Sequence, residues 1–131
     1  MSGAYEPRTY WESTLGDSLS LRGAAHPNLA ESFNRALYGS LRHSVTRSLR
    51  NHRQLDRLAE LDVLDVGFGT GVWLDFWLAA GARSVVGVDL TDVAVEHARR
   101  RFPGVEIVRA DVADALPFAA CLLYTSDAAD E

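Results

Sequence analysis

Lysine is absent from this chain: all 13 basic residues are arginine. Folding does not demand that bias, since lysine suits an exposed helix equally well. Together with abundant alanine it resembles a GC-rich bacterial coding sequence. Cysteine occurs once, at Cys121. A single thiol excludes an internal disulfide framework and a thiolate-rich metal cluster, and no metal is expected. No apolar run reaches the roughly 18 residues that span a bilayer, so no transmembrane helix is expected. The N-terminus, MSGAYEPRTYWES, lacks a basic stretch followed by an apolar one. No secretory signal is expected there, and the expected compartment is the cytoplasm. What is present is ordinary. The 131 residues allow one domain at most, and 47% apolar with 24% charged residues is a globular composition. A net charge of −5 neither requires nor excludes a nucleic-acid partner.

The last eleven residues, CLLYTSDAADE (121–131), stand apart. They resemble one translated reading frame of the transposon-end adapter used in shotgun DNA sequencing. The segment is expected to be non-native and is set aside from fold reasoning. Without Asp127, Asp130 and Glu131 the acidic count falls from 18 to 15 and the net charge from −5 to −2. The authentic chain is then expected to run on beyond Ala120.

Hydrophobic periodicity divides the rest. Residues 1–27 are mixed, broken by Gly3, Pro7, Gly16, Gly23 and Pro27. Asn28 and Glu31 have capping-box spacing. A helical pattern follows to about Ala59, with a possible break at Gly39. Leu37, Leu41, Val45 and Leu49 recur every four residues, with Tyr38 on the same face, and Arg35, Arg42, Arg50, Arg53 and Arg57 form a stripe beside them. Residues 61–66 (LDVLDV) predict a buried strand, 72–80 a helix ended by Gly81, and 84–89 (SVVGVD) a second strand. Thr91 or Asp92 starts a helix to about Phe102, Pro103-Gly104 breaks it, and 105–109 (VEIVR) predicts a third strand. Strands alternating with helices of this length imply right-handed crossovers and a parallel sheet.

The chemistry gathers at strand ends. Gly67-Phe68-Gly69-Thr70-Gly71 joins the first strand to its helix, where close backbone approach and free N–H groups favour a ligand. Asp65 precedes that loop, Asp89 ends the second strand, and Asp111 follows the third. A parallel sheet aligns these ends, which puts the three carboxylates and the glycine loop on the edge where open α/β sheets bind ligands. A carboxylate after the second strand can accept from both hydroxyls of a ribose. The dinucleotide fingerprint needs a third glycine at position 72, which is Val72. Asp65 would also repel a pyrophosphate. It suits a ligand carrying an ammonium or sulfonium group, as S-adenosylmethionine does.

The stretch Val63-Leu64-Asp65-Val66-Gly67-Phe68-Gly69-Thr70-Gly71 resembles motif I of the class I S-adenosylmethionine-dependent methyltransferases. Val86-Gly87-Val88-Asp89-Leu90-Thr91 resembles their second motif. Arg109-Ala110-Asp111-Val112 and Leu116-Pro117-Phe118 resemble the segment after their third strand. The likeness covers about residues 60–118. It implies an α/β, Rossmann-like parallel sheet, the first three strands of that fold, preceded by an N-terminal helical segment. It implies S-adenosyl-L-methionine as cofactor. Asp65, Gly67, Gly69, Thr70 and Gly71 would hold its methionine part, Asp89 its ribose, Leu90 would pack near its adenine, and Asp111 with the Val112 N–H would meet the adenine edge. Phe68 departs from the smaller residue common there, and its ring would pack on the cofactor or a lid.

The implied organisation is a helical lid or extension at 1–59, a partial cofactor-binding domain at 60–120, and the tail at 121–131. Tyr10-Trp11-Glu12 and Asn34 through Tyr38 loosely resemble the lid of small-molecule methyltransferases. Tyr10, Trp11 or Tyr38 could cover the cofactor, although core packing is the ordinary role of such rings. Trp73 and Trp77 are expected to pack on the sheet. His26, His43, His52 and His97 are expected at the surface or at caps, and the arginine stripe is expected to be a solvated face. The acceptor would be a small molecule; no membrane or nucleic-acid partner is expected, and no catalytic residue can be assigned. The lone chain is expected to be poorly stable and inactive. A nicotinamide-dependent oxidoreductase fragment and a non-catalytic cofactor-binding module remain alternatives.

Overall fold

A computed structural model of the chain describes residues 6–20, 28–114, 118 and 123–126. His26, Leu116, Pro117 and Cys121 lie outside the described residues. The elements in chain order are α1 (Pro7–Asp17), α2 (Glu31–Asn51), a 3-10 segment (Leu55–Glu60), β1 (Asp62–Val66), α3 (Val72–Ala80), β2 (Ser84–Asp89), α4 (Asp92–Arg101), β3 (Glu106–Arg109) and β4 (Leu123–Ser126). All strands are parallel, in the order β3-β2-β1-β4.

Side chains alternate across this sheet because successive residues of a strand point to opposite faces. Val63, Val85 and Ile107 join the large core with Trp73, Leu74, Phe76 and Trp77 of α3 and Ala94, Val95 and Ala98 of α4. Trp73 and Trp77 therefore pack on the sheet, as the sequence predicts. Tyr38 of α2 closes this core, its ring 6.5 Å from that of Trp73. Leu64, Val66 and Val88 form a smaller cluster on the other face, with Val86, Val108, Ala110 and Phe118 against it. No helical residue among those described contributes to that second cluster. No helix among the described residues is long and apolar enough to cross a membrane.

The helical part of the sequence reading needs correction. The expected capping box does not form: α2 starts at Glu31, with Ala30 as N-cap and no side-chain cap. Glu31 pairs instead with Arg35 one turn on, at 2.9 Å. The helix passes through Gly39 without a break and ends at Asn51, well short of Ala59, where Arg53 turns into the left-handed region at φ 55. Its buried face is Asn34, Tyr38 and Leu49, with Leu41 38% exposed. At about 100° per residue the ends of the four-residue repeat, Leu37 and Leu49, stand about 120° apart, so the repeat does not trace a single buried face. Near the N-terminus the breakers do not prevent a helix. Pro7 occupies its first position, and Glu6 caps it by accepting from the N–H groups of Arg8 and Thr9.

The fourth strand falls in the segment set aside as non-native. It pairs with β1 from Val63↔Leu123 to Val66↔Ser126. Tyr124 and Thr125 are β-favouring residues, and the outer edge of β1 would otherwise present unpaired backbone groups. A β-prone segment of any origin gains hydrogen bonds on reaching that edge.

Candidate cofactor site

The chain turns sharply after β1. Gly67, Gly69 and Gly71 adopt φ of 70, 52 and 84, the left-handed region open to glycine. The Gly67 N–H donates to the Val88 carbonyl at 2.8 Å, and the Gly71 N–H to the Phe68 carbonyl at 2.8 Å. Gly71 caps α3 without a side chain, so the first-turn N–H groups are left to a ligand. Gly67 is exposed, and a Cβ built on it would meet nothing within 4 Å. A ligand can approach the backbone there. The third glycine serves packing instead, since a Cβ on Gly71 would lie 2.7 Å from the Phe102 ring.

The register brings the predicted carboxylates to one side. Val66 pairs with Val88, which sets Asp89 beside the start of the glycine loop. Asp89 is buried. Its Oδ2 accepts from the Gly69 N–H at 2.9 Å, and its Oδ1 accepts from the N–H and the hydroxyl of Thr91 at 2.9 and 2.7 Å. An ionised carboxylate has about four lone-pair directions; the one remaining here is on Oδ2. The Ala110 N–H donates to the Asp89 carbonyl at 3.1 Å, so Asp111 follows directly on the same edge. Asp111 is exposed and accepts from the Ala113 N–H at 2.9 Å. Val112 beside it is 54% exposed, and Leu90 is half-buried. Asp65 lies one step inside the sheet, opposite Gly87 and fully buried.

Phe68 differs from expectation. Its ring is buried in the large core and packs over Gly87, where a Cβ would stand 2.9 Å from the ring. The glycine leaves room on β2, and the ring fills it instead of facing a cofactor or lid. Its backbone alone belongs to the loop.

Three supporting groups were not legible. Thr91, two residues after Asp89, orients that carboxylate; the Asp-x-Thr spacing of a local side-chain turn was the available signal. Arg101, over the Phe102 ring at 5.0 Å, donates to the Thr70 carbonyl at 3.4 Å and pairs with Asp75, bracing the back of the loop. Glu12 of α1 accepts from the backbone N–H groups of Asp92 and Val93, both at 2.9 Å, and so caps α4 from 80 residues away. Arg8 and Arg109 both pair with Asp92, at 2.9 and 3.0 Å. No local pattern announces a cap of that span. Of the aromatic lid candidates, Tyr38 is core, while Tyr10 is 46% exposed with its ring edge-on to Trp11 at 5.1 Å.

Residues 63–124 match the family model described as a methyltransferase domain. A protein of Mycobacterium tuberculosis named a probable S-adenosylmethionine-dependent methyltransferase is 38% identical over 77 residues, covering 59% of this chain and 26% of its own length. Over this stretch the chain is similar to the S-adenosylmethionine-dependent methyltransferases. A relative of that description in Mycolicibacterium smegmatis is 35% identical over 104 residues, 79% of this chain and 37% of the relative. The chain thus spans well under half the length of these curated relatives. A solved S-adenosylmethionine-dependent methyltransferase from Mesorhizobium loti is 32% identical over 50% of this chain and 32% of its own, with a TM-score of 0.46.

The residues present fit the methyltransferase cofactor. The backbone at Gly67 is open to approach, and the first turn of α3 lacks a side-chain cap. The buried Thr70 hydroxyl has no partner among the described residues. Asp89 Oδ2 keeps one lone pair that a ribose hydroxyl could take.

Proposed function

We propose that this chain is the cofactor-binding half of an S-adenosylmethionine-dependent methyltransferase acting on a small-molecule acceptor. The observation that carries this reading is the Asp89 carboxylate held against a three-glycine, left-handed loop at the start of a helix. When bound, S-adenosylmethionine supplies a methyl group on a sulfonium sulfur, open to in-line attack by an acceptor lone pair with departure of S-adenosylhomocysteine. Asp65 and the backbone of Gly67, Gly69, Thr70 and Gly71 hold the methionine part. Asp89 takes a ribose hydroxyl on its remaining Oδ2 lone pair, Leu90 lines the adenine, and Asp111 with the Val112 N–H meets its polar edge. The loop holds the reacting carbon in place, and rate comes from positioning. Residues 1–59 act as the lid. Groups that bind the acceptor come from sequence outside this chain, so it has no transferase activity alone. Its compartment is the cytoplasm.

Isothermal titration of the purified chain with S-adenosylhomocysteine and with NAD tests the reading. Binding of the first and not of the second is expected, with no methyl transfer. Preference for NAD would turn the assignment to an oxidoreductase. The proposal that residues 121–131 are adapter-derived has its own test. Resequencing the source DNA across codon 120 is expected to show a frame running on from Phe118 into another strand. A genuine stop after codon 131 would make the segment native.

A further inference from the structure

We propose that Glu12 is a positioning residue for the adenosine end of the site, acting through Thr91 on Asp89; this rests on the methyltransferase reading above. Thr91 is the N-cap of α4, the position from which a threonine hydroxyl usually accepts from the first-turn N–H groups. Here it makes no such cap. The hydroxyl donates instead to Asp89 Oδ1 at 2.7 Å, in a site where Thr91 is 1% exposed. The first-turn donors of α4 are satisfied from elsewhere: the Glu12 carboxylate accepts from Asp92 and Val93. An anion there is also favoured by the positive end of the helix dipole.

The two arrangements depend on each other. Unpaired N–H groups at a helix start demand an acceptor. With Glu12 gone, the nearest replacement is the Thr91 hydroxyl. Turning it back onto its own helix takes it from Asp89, which then keeps two of its three protein contacts and loses its fixed orientation toward the ribose. The ion pair of Asp92 with Arg8 holds α1 in register for this cap, while Arg109 of β3 pairs with the same carboxylate. So α1 does more than cover the site: its carboxylate frees Thr91 to aim Asp89.

The test is a double-mutant cycle on the full chain, read as the S-adenosylhomocysteine dissociation constant by titration calorimetry. Glu12→Gln is expected to weaken binding about tenfold. Thr91→Val, which keeps the shape and removes the hydroxyl, is expected to weaken it by a similar factor. In the Thr91→Val background, Glu12→Gln is expected to add less than twofold, because no hydroxyl remains to be recaptured. A merely structural role for Glu12 predicts additive losses. Additive losses, or an E12Q affinity equal to the parent chain, overturn the inference while leaving the methyltransferase reading intact. Failure of the parent chain to bind S-adenosylhomocysteine overturns the reading itself, and this inference with it. If E12Q does not fold, Glu12→Asp, which keeps the charge with a shorter reach, enters the same cycle.

Discussion

Replacing Asp89 with alanine is expected to weaken S-adenosylhomocysteine binding by one to two orders of magnitude or more. A hydrogen bond to a charged group is worth about 1.5–3 kcal/mol. One such bond, on the remaining Oδ2 lone pair, comes to one to two orders of magnitude at about 1.4 kcal/mol for each tenfold in affinity. The variant also loses what Asp89 does inside the protein. Its carboxylate ties the Gly69 N–H to the N-terminus of α4, so the glycine loop is released as the ribose acceptor goes. Asparagine is no conservative substitute. One face of its amide would meet an N–H donor with another N–H, at Gly69 or at Thr91 according to how it turns. Asp89→Asn is therefore expected to lose at least tenfold. Titration calorimetry, with circular dichroism to establish that each variant is folded, measures both. An Asp89→Ala affinity within threefold of the parent would remove Asp89 from the site.

The parts of this site legible in the sequence are those written in local pattern. The glycine loop, the strands on either side of it, and the strand-end aspartates follow from spacing within a few residues and from the alignment that parallel pairing imposes. The α3 boundaries are equally local, set by Gly71 before and Gly81 after, both left-handed. Where long-range packing decides, the reading fails. The face that α2 buries is set by packing on the core, where Tyr38 meets Trp73 while Leu41 stays outside. The ring of Phe68 goes to the space above Gly87, a residue 19 positions on, whose lack of a Cβ reads in sequence only as a β-propensity defect. The Glu12 cap spans two elements with no shared pattern. These are contacts between distant segments, which a periodicity argument does not encode.

Gly71→Ala is expected to destabilise the fold more than Gly67→Ala, by about 2–5 kcal/mol in all. Two independent costs meet at this position. A left-handed backbone with a Cβ costs about 1–2 kcal/mol, and Gly71 sits at φ 84. The added methyl would also stand 2.7 Å from Phe102 Cε2 and 3.3 Å from Cζ. Overpacking of a filled core costs about 1–3 kcal/mol, and Phe102 is itself a buried core residue. Gly67 provides the internal control. Its φ is also positive, at 70, but a Cβ there meets open space. Gly67→Ala is therefore expected to show the backbone cost alone, about 1–2 kcal/mol. The two costs separate in a double variant: Phe102→Leu withdraws the offending ring atoms, so Gly71→Ala in that background is expected to approach the Gly67→Ala value, a coupling expected only of residues in contact. Urea denaturation followed by circular dichroism reads all four. Equal losses for Gly71→Ala and Gly67→Ala would mean that the Phe102 ring moves aside at no cost, and that the third glycine of the loop is required for its backbone conformation alone.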